Sequence, residues 1–360
     1  MIQKIWFTIV WLFVKLGLFF YSKKIKVSGR KNIPKKGAVL FAVNHPNGLV
    51  DPLYVTTTNI RQNHFLVRAA SFKKPIIKKI LESLYLMPIY RIRDGIKQLA
   101  NNEEIFNKCH NILNKKETLM IFPEGSHNYK RTIRPLSKGF TRIIFGALEK
   151  HPELNITVIP VGITYQHISN YPAKVAINYG KAIDTKEIFT NNNKAKAINI
   201  IKQKVTEQLK TLTVHIPDDE NYDSILEKLN NAQVDFTEVE KINEMIISKR
   251  FPTAKKTKTN YLKPLYYVLV VNSIFPYLIW KKIYAKIDEI EFIDTFRFAS
   301  CLVTFPIFYS LQSLVISYFF NDNIAFIYLM ISIISVLIYT KLATIGAKKH
   351  KEFVKAGKQV

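Results

Sequence analysis

Two apolar runs near the carboxyl end, Phe296 to Phe320 and Ile324 to Leu342, constrain this chain more than any other feature of its sequence. Each is long enough to cross bilayer hydrocarbon, and only the polar turn Asn321-Asp322-Asn323 separates them. They predict a transmembrane hairpin. A shorter run, Pro264 to Trp280, is broken at Asn272-Ser273 and Pro276 and has lysines on both flanks, which predicts a re-entrant or interfacial segment. Residues 2–20 are almost wholly apolar and aromatic, interrupted by Lys4 and Lys15 and followed by Lys23, Lys24 and Lys26. With no small-residue cleavage site behind it, this stretch predicts a retained anchor helix. Its internal lysines suit a helix lying in the interface, and a packed internal helix is the alternative. The tail carries Lys348, Lys349, Lys351, Lys355 and Lys358; the positive-inside rule keeps it, and the basic domain before the hairpin, on the cytoplasmic face.

From Ile25 to Tyr179 short apolar runs alternate with helical patterns. Gly37 to Val43, Leu119 to Pro123, Val158 to Ile163 and Val175 to Tyr179 read as strands, and residues 72–85, 97–115 and 137–150 carry helical spacing. That alternation predicts an α/β fold, a mixed sheet covered by helices. Polar helical sequence follows, with an asparagine-rich break at 191–193 and the acidic stretch Asp218-Asp219-Glu220; Lys255, Lys256 and Lys258 then mark a boundary. The expected division is an anchor over 1–24, an α/β domain over 25–185, a helical extension over 186–260 and a membrane region over 261–360.

Lysine and arginine number 53 against 27 acidic residues, a net charge of +26, which calls for an anionic partner. Nucleic acid, anionic lipid and phosphorylated metabolites all qualify by charge. The basic residues are spread along the chain without a nucleic-acid-binding motif, and a nucleic-acid binder would leave the apolar spans unexplained. No nucleic-acid partner is therefore expected. Cys109 and Cys301 are the two cysteines, too few and too differently placed for a disulfide framework, which fits a reducing, cytosol-facing location. Zinc-type spacing and glycine-rich phosphate loops are missing from the sequence. Neither a metal nor a nucleotide cofactor is implied.

The strand-like run ending at Val43 leads into Asn44-His45-Pro46-Asn47-Gly48-Leu49-Val50-Asp51-Pro52. Pro46 biases His45 toward extended backbone, so the imidazole sits at a strand's carboxyl end. His45 and Asp51 would point ~240° apart on one continuous helix at ~100° per residue; the Asn47-Gly48 turn can fold them together. A histidine paired with a carboxylate can take a proton from a hydroxyl. Asp51 before Pro52 also reads as a helix N-cap, and the two roles are compatible.

Three segments follow in order: Phe65 to Lys73 leading into Met87-Pro88-Ile89-Tyr90-Arg91-Ile92-Arg93; Ile121-Phe122-Pro123-Glu124-Gly125-Ser126-His127; and Val158-Ile159-Pro160-Val161-Gly162. With the His-Asp segment they resemble the four motif blocks of the glycerophospholipid acyltransferase family, over roughly residues 30–185. Five residues separate His45 from Asp51 where most of that family has four. This spacing is similar to the branch of membrane-bound glycerol-3-phosphate and dihydroxyacetone-phosphate acyltransferases, whose His-x-Asn-x-x-Val-Asp-Pro signature His45, Asn47, Val50, Asp51 and Pro52 fit.

The resemblance implies an integral membrane O-acyltransferase of phospholipid biosynthesis. An acyl-CoA or acyl-carrier-protein thioester would be the co-substrate, with no other cofactor, and a phosphorylated glycerol-type compound the acceptor. His45 would be the general base and Asp51 its partner. Asn47, Arg68, Arg91, Arg93, Glu124, Gly125 and Ser126 would bind substrate, the arginines gripping phosphate and Glu124 holding an acceptor hydroxyl or orienting a neighbouring arginine. Lys138 is a weaker candidate, and His127 reads as structural. A lysolipid acceptor, such as lysophosphatidic acid, and an inactive lipid-binding protein on the same fold are the alternatives. Lys73, Lys74, Lys78 and Lys79 interleave with Ile76, Ile77, Ile80 and Leu81, a basic amphipathic face suited equally to anionic lipid and to solvent.

Overall fold

The computed structural model describes residues 2–90, 96–256 and 259–345. The chain opens with helix α1 (Ile2–Tyr21) and passes directly into strand β1 (Ser22–Ser28). Then come β2 (Ala38–Val43), α2 (Val50–Thr58), β3 (Asn63–Arg68), α3 (Pro75–Ser83), β4 (Leu86–Ile89), α4 (Asn102–Asn114), β5 (Thr118–Ile121) and α5 (Gly139–Lys150). β6 (Ile156–Tyr165), β7 (Ala173–Tyr179) and β8 (Ile183–Asp184) close the strand set. α6 (Thr185–Thr190), α7 (Lys194–Leu212), α8 (Tyr222–Asn231) and α9 (Val239–Ser248) lead to α10 (Lys263–Asn272), α11 (Ile274–Tyr284), α12 (Ile293–Phe319) and α13 (Asp322–Leu342).

Among the described residues eight strands form one mixed sheet in the order β1-β7-β6-β2-β5-β3-β4, with β8 against β6. β2 lies parallel to both β5 and β6, while β7 runs antiparallel to β6. β2 can occupy the middle because it is apolar on both sides. Its alternate residues Ala38, Leu40 and Ala42 join a core with α4, α5 and α7, and Val39, Phe41 and Val43 join a second core with α1 and α2 on the other face. The period of two along the strand thus divides one buried run between two layers. α8 and α9 pack a smaller third cluster.

α1 lies along this second face. Val14, Leu18 and Tyr21 are buried, and the Trp11 indole donates to the Thr56 carbonyl at 3.0 Å. Its outward stripe of Ile2, Ile5, Ile9, Leu12, Leu16 and Phe19 stays exposed. α1, the 290–319 segment containing α12, and α13 are each long and apolar enough to cross a membrane. The expected hairpin is present, beginning at Ile293, and Asn321 caps α13 by accepting from the Ile324 amide at 2.9 Å. The 264–280 run forms α10 and α11, broken at Ser273.

All four expected strands are found, but β1, β3, β4 and the two-residue β8 were not read from sequence. In β1 the apolar residues Ile25 and Val27 alternate with lysines, so a half-buried edge strand looks like the charged flank of an anchor. The helix therefore ends at Tyr21, and residues 22–24 belong to the sheet. The expected boundary at 185/186 is not a physical one either: Ala197, Ile201, Val205 and Leu209 of α7 lie in the same core as β2 and α5. α7 is a covering helix of the sheet.

Candidate active site

The loop between β2 and α2 is held open at the carboxyl edge of the sheet by its first residue. The Asn44 side chain accepts from the Ile163 amide at 2.6 Å and donates to the Ile163 carbonyl at 3.0 Å, tying the loop to β6. The turn then brings His45 and Asp51 together, with His45 Nδ1 at 2.8 Å from Asp51 Oδ2. Asp51 lies in the first turn of α2, whose N-cap is Leu49. The capping role expected of Asp51 is thus not the one it has, because its carboxylate turns back toward the loop. Oδ2 also accepts from the Asn47 amide at 2.8 Å, and Oδ1 accepts from the Tyr165 hydroxyl at 2.7 Å.

Asp51 is fully buried while the His45 side chain keeps 13% exposure, so one end of the pair is dry and the other reachable. Burial pushes the Asp51 carboxyl well above the usual carboxylate range, and the Tyr165 and Asn47 hydrogen bonds oppose that rise. Burial likewise raises the Tyr165 hydroxyl, helped by the neighbouring Asp51 charge. The His45 ring stacks on Phe122 at 3.9 Å between centroids and meets His127 edge-on at 4.1 Å. His127 in turn meets Phe292 at 5.1 Å. These contacts fix the imidazole plane, and His127 serves as a wall beside it.

Glu124 is the hinge between this loop and the next. Oε1 accepts from the His45 amide at 3.3 Å, and Oε2 accepts from the Arg134 amide at 3.2 Å with the Arg134 Nε at 3.5 Å. Its side chain is 2% exposed. Burial raises the carboxyl, opposed chiefly by the Arg134 amide and charge. Of the two roles considered for Glu124, this geometry matches orienting an arginine. Arg134 also donates to the carbonyls of Ser126 and His127 at 2.6 and 2.8 Å. Gly125 takes φ +75° with open space where a Cβ would lie, and it is exposed at the surface, a conformation glycine adopts without steric cost.

Asn47 departs from expectation. It is wholly buried, and its amide donates to the Ile168 carbonyl at 3.1 Å and to Asp294 at 3.3 Å. A substrate contact by that side chain does not fit; it braces the loop. Arg68 is exposed at the carboxyl end of β3, the same end of the sheet as His45. Ser126 is half-buried and Lys138 exposed. Arg91 and Arg93 lie outside the described residues. Among the described residues no group of three or more potential metal ligands is present, and Cys109 and Cys301 are free thiols.

Sequence reasoning missed what holds the loop from outside. The Gly48 amide donates to the Glu291 carbonyl at 2.9 Å, and the Leu49 amide to the Thr295 hydroxyl at 2.9 Å. Fully buried Asp294 accepts from Tyr21, Asn47 and Arg297, and Arg297 also reaches the Ser169 carbonyl at 2.9 Å. The start of α12 is therefore built into the His-Asp loop. An acid and an arginine three residues apart at the mouth of an apolar span were the available signal, since ionisable groups are costly there. Tyr165 gave less, being one more aromatic at a strand end.

The family described as Acyltransferase matches residues 24–164. Glycerol-3-phosphate O-acyltransferase 2 of Saccharomyces cerevisiae is 27% identical over 130 residues, which are 35% of this chain and 17% of that protein. The 1-acyl-sn-glycerol-3-phosphate acyltransferase of Borreliella burgdorferi is 24% identical over 208 residues, 56% of this chain and 78% of that protein. The chain thus spans under a fifth of the length of the yeast relative. Among solved structures, the 1-acyl-sn-glycerophosphate acyltransferase PlsC of Thermotoga maritima aligns with a TM-score of 0.44 at 16% identity, covering 60% of this chain and 83% of that one.

Proposed function

We propose that this chain, which over residues 24–164 belongs to the glycerophospholipid acyltransferase superfamily, moves a fatty acyl group from a thioester to a hydroxyl of glycerol 3-phosphate or dihydroxyacetone phosphate. The observation that carries the reading is the 2.8 Å contact between a partly exposed His45 and a buried Asp51. With Nδ1–H donating to Asp51, Nε2 holds the lone pair that accepts the acceptor's proton. The hydroxyl oxygen attacks the thioester carbonyl carbon, the new C–O bond replaces the C–S bond, and His45 returns the proton to the departing thiolate. Asp51 holds the ring's tautomer and balances the imidazolium.

A positioned base supplies roughly 10²–10⁴-fold in rate, and placing the two substrates together supplies much of the remainder. Arg68, with Arg91 and Arg93, is the proposed phosphate grip, and an acyl-CoA or acyl-carrier protein the proposed donor. The three long apolar helices support work at a membrane, and the lysine-rich tail supports the cytoplasmic face.

Purified protein with a labelled acyl thioester should acylate glycerol 3-phosphate, and His45→Ala should lose at least ~10²-fold. Normal turnover by that variant would remove His45 from the chemistry. A second reading, acylation of a lysolipid such as 1-acylglycerol 3-phosphate, is favoured by the match along most of the Borreliella relative. Acceptors offered at equal concentration separate the two readings.

A further inference from the structure

At the end of the sheet opposite His45 lies a cavity of about 460 Å³ lined by Lys4, Lys35, Lys36, Arg61, Lys116 and Glu117, with His64 and Tyr85 in its wall. It is formed where the chain enters β2, β3 and β5, three mutually parallel neighbours. A strand of six residues at ~3.3 Å each places it about 20 Å from the His-Asp pair. The two sites are separate.

Its charge is unbalanced in an organised way. Arg61 is spent on architecture, donating to the carbonyls of Pro34, Gly37 and Lys116 at 2.9, 2.7 and 3.0 Å and so gathering three loops into one rim. Glu117, the sole acid among the described residues that line the cavity, lies 2.9 Å from His64 Nε2, and its single negative charge faces Arg61 and four lysines. Lys4, Lys35, Lys36 and Lys116 then remain around one hollow, and among the described residues no carboxylate pairs with any of the four ammonium groups. Four such charges repel one another unless an anion sits between them.

We propose that this cavity binds a phosphate group. Its surroundings favour a phosphate carried by an anionic lipid. Lys4 belongs to α1, whose exposed Ile2, Ile5 and Ile9 flank it. The neighbouring α3 presents Ile76, Ile77 and Ile80 outward, and Ser83 at its end bonds Gln3 and Trp6 of α1 at 3.3 and 3.1 Å. Apolar side chains for acyl tails thus border ammonium groups for a headgroup. Lysine suits this task as a mobile point charge, and Arg61 keeps the rim in shape.

The test uses the full chain in a non-ionic detergent and calorimetric titration with dihexanoyl phosphatidylglycerol, dihexanoyl phosphatidylcholine and inorganic phosphate. The Lys35→Ala/Lys36→Ala/Lys116→Ala variant is compared with Lys196→Ala/Lys204→Ala/Lys241→Ala, which removes three exposed lysines elsewhere. Saturable phosphatidylglycerol binding, weakened at least tenfold in the cavity variant and less than twofold in the control, supports the site. Millimolar phosphate that fails to displace the lipid assigns a lipid headgroup; phosphate that binds alone, with the same loss in the cavity variant, assigns the free anion. Absence of saturable binding by either anion, or equal weakening in both variants, overturns the proposal. Acyl transfer enters none of these readouts.

Discussion

Removing the Tyr165 hydroxyl is the sharpest single perturbation of the proposed catalytic pair. Among the described residues Asp51 has three hydrogen-bond donors: His45 Nδ1 and the Asn47 amide on one oxygen, and Tyr165 on the other at 2.7 Å. Tyr165→Phe keeps the ring that packs in the second core, so it deletes one bond without opening a cavity. A hydrogen bond to a charged group is worth ~1.5–3 kcal/mol, and about 1.4 kcal/mol corresponds to one pKa unit. The carboxyl, already lifted by burial, should therefore rise by a further ~1–2 units. A more basic carboxyl leaves less of the pair as carboxylate with a free imidazole lone pair at any given pH. The acidic limb of kcat/KM, which belongs to the pair as a unit, should move toward higher pH by about that amount, with the plateau rate reduced. Initial rates from pH 5 to 9 measure it. A profile superimposable on the unmutated one would mean that Oδ1 has no part in the pair's ionisation.

Three further outcomes follow from geometry elsewhere. Asp294→Leu strands the buried Arg297 cation and should cost ~3–5 kcal/mol, seen as a lower unfolding temperature in detergent and recovered in part by adding Arg297→Met; independence of the two changes would refute the network. Gly29 sits at φ +71° with the Tyr179 carbonyl oxygen 1.9 Å from where a Cβ would be, so Gly29→Ala should cost more than the ~1–2 kcal/mol of a left-handed backbone alone, and unchanged urea unfolding would contradict this. His110 and His215 are pushed down to about 4, chiefly by burial; His215 Nδ1 also accepts from the Ile133 amide at 3.1 Å. Both stay neutral when folded and bind protons when unfolded, so stability should be lost as pH falls from about 6.5 toward about 4. His110→Leu should flatten that fall in a denaturation series, and an unaltered pH slope would remove His110 as a cause.

What sequence could reveal depended on how much information each element carries locally. β2 announced itself because both of its faces are apolar, and the hairpin because hydrocarbon demands long runs. The His45–Asp51 contact was legible because Asn47-Gly48 leaves few ways to connect a strand to a helix. β1 was not, since parallel pairing to β7 joins Ser22–Ser28 to residues some 150 positions later. Asn47 was read as a substrate ligand for a related reason: an amide's partner is set by tertiary placement, and Asp294 lies 247 residues away. The dependence of the Glu124 side chain on Arg134 is closer in sequence but crosses an irregular loop, where periodicity gives no guide.

The seam between the Leu49 amide and the Thr295 hydroxyl joins residues 246 positions apart, and this bears on the order in which the molecule is made. A ribosome delivering this chain has released the whole sheet long before α12 emerges. Until the first turn of that helix docks, residues 47–49 lack three of their outer supports. The loop that joins His45 to Asp51 therefore takes its final shape only after the last fifth of the chain, from Ile293 onward, has been made.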